Sequence, residues 1–311
     1  MSYATAFSSD YTTARSRFRE LAIARLSHLE AYPINHKAPN GEELIIDVAK
    51  LGDLHARKAV IVSSGLHGVE GFFGSAVQCT LLENLDSYPQ GTTLILLHAL
   101  NPYGFAWRRR CNEDNIDLNR NFLLPGEAYI GSPKEYSDLN SLINPTSPPS
   151  RFDAFIFKAI AFILRHGMTS IKNTLPVGQY DFPQGLFFGG NSPAQTHQIL
   201  AANLPRWVGN ATEVLHIDLH TGLGRKGTYK LLVDAPESER FQWLAANFGN
   251  NVESITASGT AYTIRGGFGT WCKAKFPECN YNFLTAEFGT YSMIQVIAAL
   301  RAENRVHFWG V

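Results

Sequence analysis

Apolar runs and apolar stripes alternate along the chain. LIIDVAK (44–50), AVIVSS (59–64) and TLILLHAL (93–100) are short and β-branched, and they read as strands. The second run is apolar without alternation, as expected for a strand buried on both faces. VLHIDLHT (214–221), YKLLVD (229–234) and FLTAEFGT (283–290) extend the set. Between these lie helical stretches at 71–85, 152–166, 193–204, 237–248 and 291–304. In the first 30 residues, Phe18, Leu21, Ala22, Leu26 and Leu29 recur at helical spacing, and Ser9 or Asp10 can cap that helix. Strands alternating with helices predict an α/β fold, with a mixed, largely parallel central sheet and helices on both faces. Ligands of such sheets bind beyond the C-terminal strand ends.

Two stretches break the pattern. Residues 123–151 carry Pro125, Pro133, Pro145, Pro148 and Pro149 among Ser and Asn, and read as a long surface excursion. Residues 173–192, with GLFFGG, are also irregular. No linker or repeat stands out, so residues 1–311 are expected to form a single domain.

Composition narrows the function. The 311 residues carry 27 Lys+Arg and 27 Asp+Glu, so there is no basic excess for tracking phosphates, and nucleic acid is not an expected partner. The chain shows no secretory h-region, and no apolar run approaches a membrane span; FIFKAIAFIL (155–164) is short and contains Lys158. Cys79, Cys111, Cys272 and Cys279 are far apart and form no CxxC. They read as reduced thiols of a cytoplasmic protein.

Four segments at predicted strand ends could carry chemistry. SSGLHGVEG presents His67 and Glu70, an H-x-x-E pair able to offer an imidazole and a carboxylate to one metal ion. Taken alone, His67 is better explained as a hydrogen-bonded loop histidine. NPYGFAWRRRCNEDNIDLNRNF (101–122) holds Arg108, Arg109, Arg110, Asp117, Asn119 and Arg120. Its arginines can be a solvated cluster or a fork for a carboxylate. In HIDLHTGLG, His216, Asp218 and His220 share one strand face; His220, at the strand's end, is the better ligand, and His216 reads as a core histidine. In LTAEFGT, Glu287 sits in an apolar strand, where a carboxylate is costly unless paired, metal-bound or catalytic.

Gly222, Gly224 and Gly227 form GLGRKG, formally a dinucleotide fingerprint. A nucleotide site needs a helix to start there, and a strand-like segment follows instead. A nicotinamide or flavin role is not expected.

Taken in order, HGVE, NPYG, the RRR…DLNR segment, DLHTG and TAEFG resemble the zinc carboxypeptidase superfamily, which includes metallocarboxypeptidases and the aspartoacylase/succinylglutamate desuccinylase group. The likeness is greatest to a bacterial branch described as a domain of unknown function. It extends from residue 67 to 290, with long unmatched stretches between motifs. The resemblance implies zinc held by His67, Glu70 and His220, with one coordination position open. It implies that Asp117 orients His67, Arg110 polarises the scissile carbonyl, Asn119 and Arg120 bind a substrate carboxylate, and Glu287 is the general base. The substrate implied is a small peptide, or an N-acyl amino acid, with a free carboxylate. A non-catalytic binding protein on the same scaffold is the alternative of another class. With zinc counted, Arg110 and Arg120 against Glu70, Asp117 and Glu287 leave an anion-selecting excess of about one positive charge. Many carboxypeptidases also use a mobile tyrosine; Tyr262 and Tyr281 are both candidates here. The oligomeric state is left open.

Overall fold

The computed structural model describes residues 3–87, 90–150, 152–167, 174–233, 239–254 and 264–310. Among these, eight strands form one mixed sheet. They are β1 (His28–Lys37), β2 (Glu43–Gly52), β3 (Lys58–Ser64), β4 (Thr92–His98), β5 (Glu213–Leu223), β6 (Tyr229–Val233), β7 (Val252–Ser254) and β8 (Asn280–Tyr291). Their order is β1-β2-β4-β3-β5-β8-β6-β7. The central strands β4, β3, β5 and β8 run parallel, while β2 and β6 join them antiparallel.

The parallel block explains the apolar runs. Ile61 and Val62 are neighbours on β3 but point to opposite faces, each into a separate buried cluster. On one face, Phe18 and Ala22 of the helix Tyr11–Ala24 and Cys79 and Leu82 of the helix Gly71–Glu83 cover the sheet. On the other, Leu204 and Trp207 of the helix Gln195–Val208 and Phe268 and Trp271 of the helix Phe268–Lys275 do so. The expected layered α/β fold is thus observed, with helices on both faces.

Two local expectations are corrected. The first helix stops at Ala24, capped at its start by Asp10, whose side chain accepts from the Thr13 amide. Leu26 takes a left-handed backbone (φ 55°) and is 95% exposed, and Leu29 belongs to β1. That strand escapes periodicity because it is a mostly exposed edge, and Pro33 fits an edge, where a missing N–H is tolerated.

The excursion at 123–151 is not structureless. It contains the helix Lys134–Ile143, whose Tyr136, Leu139 and Ile143 are buried. They cluster with Leu175, Leu186 and Phe187, and with Ile297 and Leu300 of the helix Met293–Trp309. The prolines flank this helix rather than excluding it.

No helix among the described residues is long and apolar enough to cross a membrane. The four cysteines are free thiols; Cys79, Cys111 and Cys272 are buried and Cys279 partly so.

Candidate metal centre

Because β3, β5 and β8 are parallel and adjacent, their C-terminal ends open onto one place. His67 and Glu70 lie just past β3, the latter closing a 3-10 turn, Gly68–Glu70. His220 lies near the end of β5, and its register partner on β8 is Glu287.

The turn is held from outside. The Gly68 and Val69 amides donate to the carbonyls of Arg110 (3.1 Å) and Arg109 (2.8 Å). Asn101 caps the short helix Pro102–Ala106 by accepting from the Gly104 amide, and its Nδ2 donates to the Arg110 carbonyl at 3.2 Å. Gly68 packs so closely on Gly104 that a Cβ there would lie 2.2 Å from backbone carbon. The HG and NPYG motifs are thus two sides of one backbone contact that sets where His67 points.

His67, Glu70 and His220 offer ligand atoms that all lie within 4.8 Å of one another, and all three residues are buried. His67 Nδ1 is 2.9 Å from Glu70 Oε1 and 3.2 Å from His220 Nδ1. Glu70 Oε2 also accepts from the Thr221 amide at 2.8 Å. Burial acts to raise the Glu70 carboxyl, but His67 and His220 outweigh it and hold it well below the usual range. Burial acts to lower His220, but Asp218 and Glu70 overcome it and raise the imidazole. Two facing imidazole nitrogens beside a carboxylate suit a divalent metal such as zinc, which takes nitrogen and oxygen donors and here would keep a position open.

Each outer imidazole nitrogen faces a carboxylate. His67 Nε2 is 3.3 Å from Asp117 Oδ1, and His220 Nε2 is 2.6 Å from Asp218 Oδ2. This is the usual outer support of a metal-binding histidine. Asp117 is also held by Arg110 Nε at 2.9 Å. Burial opposes its ionisation, but Arg110, Arg120 and His67 keep it well below the carboxylate range. Arg110 Nη2 lies 2.7 Å from His67 Nε2 as well. A guanidinium can only donate, so this contact and the Asp117 contact call for opposite tautomers. The form that turns an Nδ1 lone pair toward a metal donates from Nε2 to Asp117, and that form frees Arg110 Nη2 for the cavity.

The three residues line a cavity of about 310 Å³, together with Arg110, Asn119, Arg120 and Glu287. Asn119 is fixed by its Oδ1, which accepts from the Phe268 amide at 3.0 Å. The guanidinium of Arg120 lies over the Phe187 ring, as does that of Arg110, with the Arg–ring distances 5.8 and 5.6 Å. Phe187 comes from the irregular GLFFGG stretch.

Other sequence candidates go elsewhere. Arg109 is buried and binds Glu303, Asn115 and Asn304, so it pins the last helix. Arg108 is exposed. His216 is buried, with both ring nitrogens bonded. Tyr281 is buried in the core with its hydroxyl on His216, so it is not a mobile residue of the cavity. Tyr262 lies outside the described residues. GLGRKG runs from β5 to β6 without starting a helix, and Gly222 and Gly224 line the cavity.

Lys230 and Glu253 were not singled out from sequence, yet they form an ion pair in the cavity wall. Lys230 faces Glu287 across β6 and β8. Its signal in the sequence was a lone lysine in the predicted strand YKLLVD. Asp218 was placed on the His220 face by HIDLH, but no task followed from that spacing.

Residues 7–310 match the family described as "Protein of unknown function (DUF2817)". The chain belongs to this family. No curated protein matches it. Among solved structures, it is similar to carboxypeptidase A from Helicoverpa armigera, at 10% identity and TM-score 0.53, with 97% of this chain and 71% of that chain covered. Bovine thrombin-activatable fibrinolysis inhibitor aligns at 14% identity and TM-score 0.51, covering 97% of each chain. A candidate metallopeptidase from Shewanella amazonensis SB2B gives 14% and 0.51, over 96% and 92%. At these identities the likeness shows a common fold, and this DUF2817 member shares it with the metallocarboxypeptidases.

Proposed function

We propose that this chain is a zinc-dependent hydrolase of an amide bond next to a free carboxylate, and first of all a carboxypeptidase acting on short peptides. The observation that carries this reading is the meeting of His67, Glu70 and His220 in a cavity that also presents Glu287, Arg110, Asn119 and Arg120. A buried two-imidazole, one-carboxylate set is suited to a catalytic metal. Zinc, when bound, supplies Lewis acidity and a water that ionises near neutral pH.

The protein's own residues then divide the work. Glu287 accepts a proton from the attacking water and returns it to the departing amine as the C–N bond breaks. Arg110, released from His67, steadies negative charge on the former carbonyl oxygen. Asn119 and Arg120 hold the substrate carboxylate and so select the bond presented. Asp117 keeps His67 in the tautomer that leaves Nδ1 free. The retention of Glu287 and Arg110 beside the ligand set speaks against a purely binding role. We place the protein in the cytoplasm on the ground of its free thiols.

Purified protein at confirmed zinc occupancy, tested on C-terminal peptide and N-acyl-amino-acid panels, decides the substrate. Chelator-sensitive release of C-terminal amino acids is expected. Turnover of N-acyl amino acids alone would make it a deacylase, and turnover of neither would overturn the hydrolase reading.

A further inference from the structure

Behind His220 a line of hydrogen bonds runs inward along one face of the sheet. His220 Nε2 meets Asp218 Oδ2 at 2.6 Å. The other oxygen, Asp218 Oδ1, accepts from Ser63 Oγ at 2.5 Å. Ser63 Oγ lies 2.8 Å from His216 Nε2, and His216 Nδ1 lies 2.8 Å from the Tyr281 hydroxyl. All five residues are buried. Strand register brings them together: Ser63 of β3 pairs with Asp218 of β5, and Tyr281 lies on β8, next to β5.

The direction of the first three bonds follows from donor and acceptor arithmetic, and that of the fourth from a neutral His216 ring. A carboxylate only accepts, so Asp218 takes one proton from His220 and one from Ser63. Ser63 has then used its single hydrogen and must accept from His216, which therefore carries its proton on Nε2. The Nδ1 of that neutral ring is left as an acceptor, and the Tyr281 hydroxyl donates to it. Burial favours the neutral ring, pushing His216 down to about 4 against the opposing pull of Asp218. The rings of Phe268 and Phe283 wall it edge-on at 5.4 and 4.6 Å, so it cannot turn over freely.

We propose that Tyr281, His216 and Ser63 form a positioning relay that fixes Asp218, and through it holds His220 with Nε2 protonated and Nδ1 turned to the metal. None of the three belongs to the ligand cluster or lines the cavity. The inference rests on the metal site proposed above. It gives His216 a task beyond filling the core, and it gives the buried Ser63 a task as well.

The relay predicts graded effects on the zinc affinity of the whole protein, measured by competition with a chromogenic chelator. Asp218→Asn should weaken binding 10- to 100-fold. Ser63→Ala and His216→Leu should each weaken it about tenfold, and Tyr281→Phe less. His216→Gln, which can both donate and accept, should restore most of the loss. His98→Gln, at another fully buried histidine outside the relay, should leave affinity unchanged. Long-range ¹H–¹⁵N spectra give a second readout that needs neither activity nor metal: His216 should appear as the neutral Nε2–H tautomer. An Nδ1–H tautomer would overturn the relay, as would wild-type zinc affinity in folded Ser63→Ala. Absence of zinc binding by the wild type would instead overturn the metal site, leaving the tautomer to test the bond directions.

Discussion

The Nδ1 atoms of His67 and His220 face each other at 3.2 Å, although 153 residues separate them in sequence. Together with the Glu70 carboxylate they form a cluster of three ligating residues. Removing either imidazole leaves two of the three. His67→Ala and His220→Ala are each expected to lower zinc affinity by at least about a thousandfold. Asp117→Asn reaches the metal site through His67 and should cost about 10- to 100-fold in zinc affinity. Chelator competition on the folded variants checks this ranking; an Asp117 variant as weak as His67→Ala would contradict it.

Glu287 lies outside the ligand cluster, and the proposed mechanism makes it the general base. Glu287→Gln should therefore bind zinc like the wild type while kcat falls by about 10²- to 10⁴-fold, the usual range for a lost general base. Metal content and steady-state rates on the same preparation check both halves. An unchanged rate would take Glu287 out of the mechanism.

Three consecutive arginines should give three different outcomes. Arg108 is exposed, and Arg108→Ala should change stability by no more than about 0.5 kcal/mol. Arg109→Ala leaves Glu303, Asn115 and Asn304 without their shared donor and should cost about 2–3 kcal/mol. Arg110→Ala should show its main effect as a lower kcat/KM, with zinc retained. Denaturant midpoints and kinetics distinguish the three; equal effects would refute the division of tasks.

Stability should fall in mild acid. His98 is fully buried, stacked on Phe18 and bonded to Ser75 Oγ, and burial with the nearby Arg15 charge brings it down to about 3. An unfolded histidine titrates near 6.5. Below that value the unfolded chain binds a proton the folded one refuses, so the neutral ring's contribution is complete above about pH 6.5 and declines toward 3. His98 adds up to about 1.4 kcal/mol per pH unit to that slope. His98→Gln should flatten the dependence of stability on pH between 6.5 and 4. Denaturation at a series of pH values checks this, and parallel curves for variant and wild type would contradict it.

The parts legible from sequence are those that repeat a local rule. The strands β3 and β4 are mostly buried on both faces, so their apolar runs are dense, and motifs at the ends of β3 and of its parallel neighbours β5 and β8 inherit a common location. That is why His67, Glu70, His220 and Glu287 could be read together. The edge strand β1 could not, since its exposed residues carry no alternation and the preceding helical spacing runs into it. The helix Lys134–Ile143 was hidden by the prolines around it, although Tyr136, Leu139 and Ile143 are spaced for one buried face. The relay was half legible: HIDLH puts His216, Asp218 and His220 on one face, but Ser63 joins them only through the pairing of β3 with β5.

We propose that His67, Glu70 and His220 bind one catalytic zinc ion. Elemental analysis of the protein, stripped with chelator and then equilibrated with a slight excess of zinc and desalted, tests it most directly. One zinc per chain in the wild type, and none in folded His220→Ala, is the predicted result. Wild-type protein that retains no zinc, or a His220→Ala variant that retains it fully, would contradict the claim.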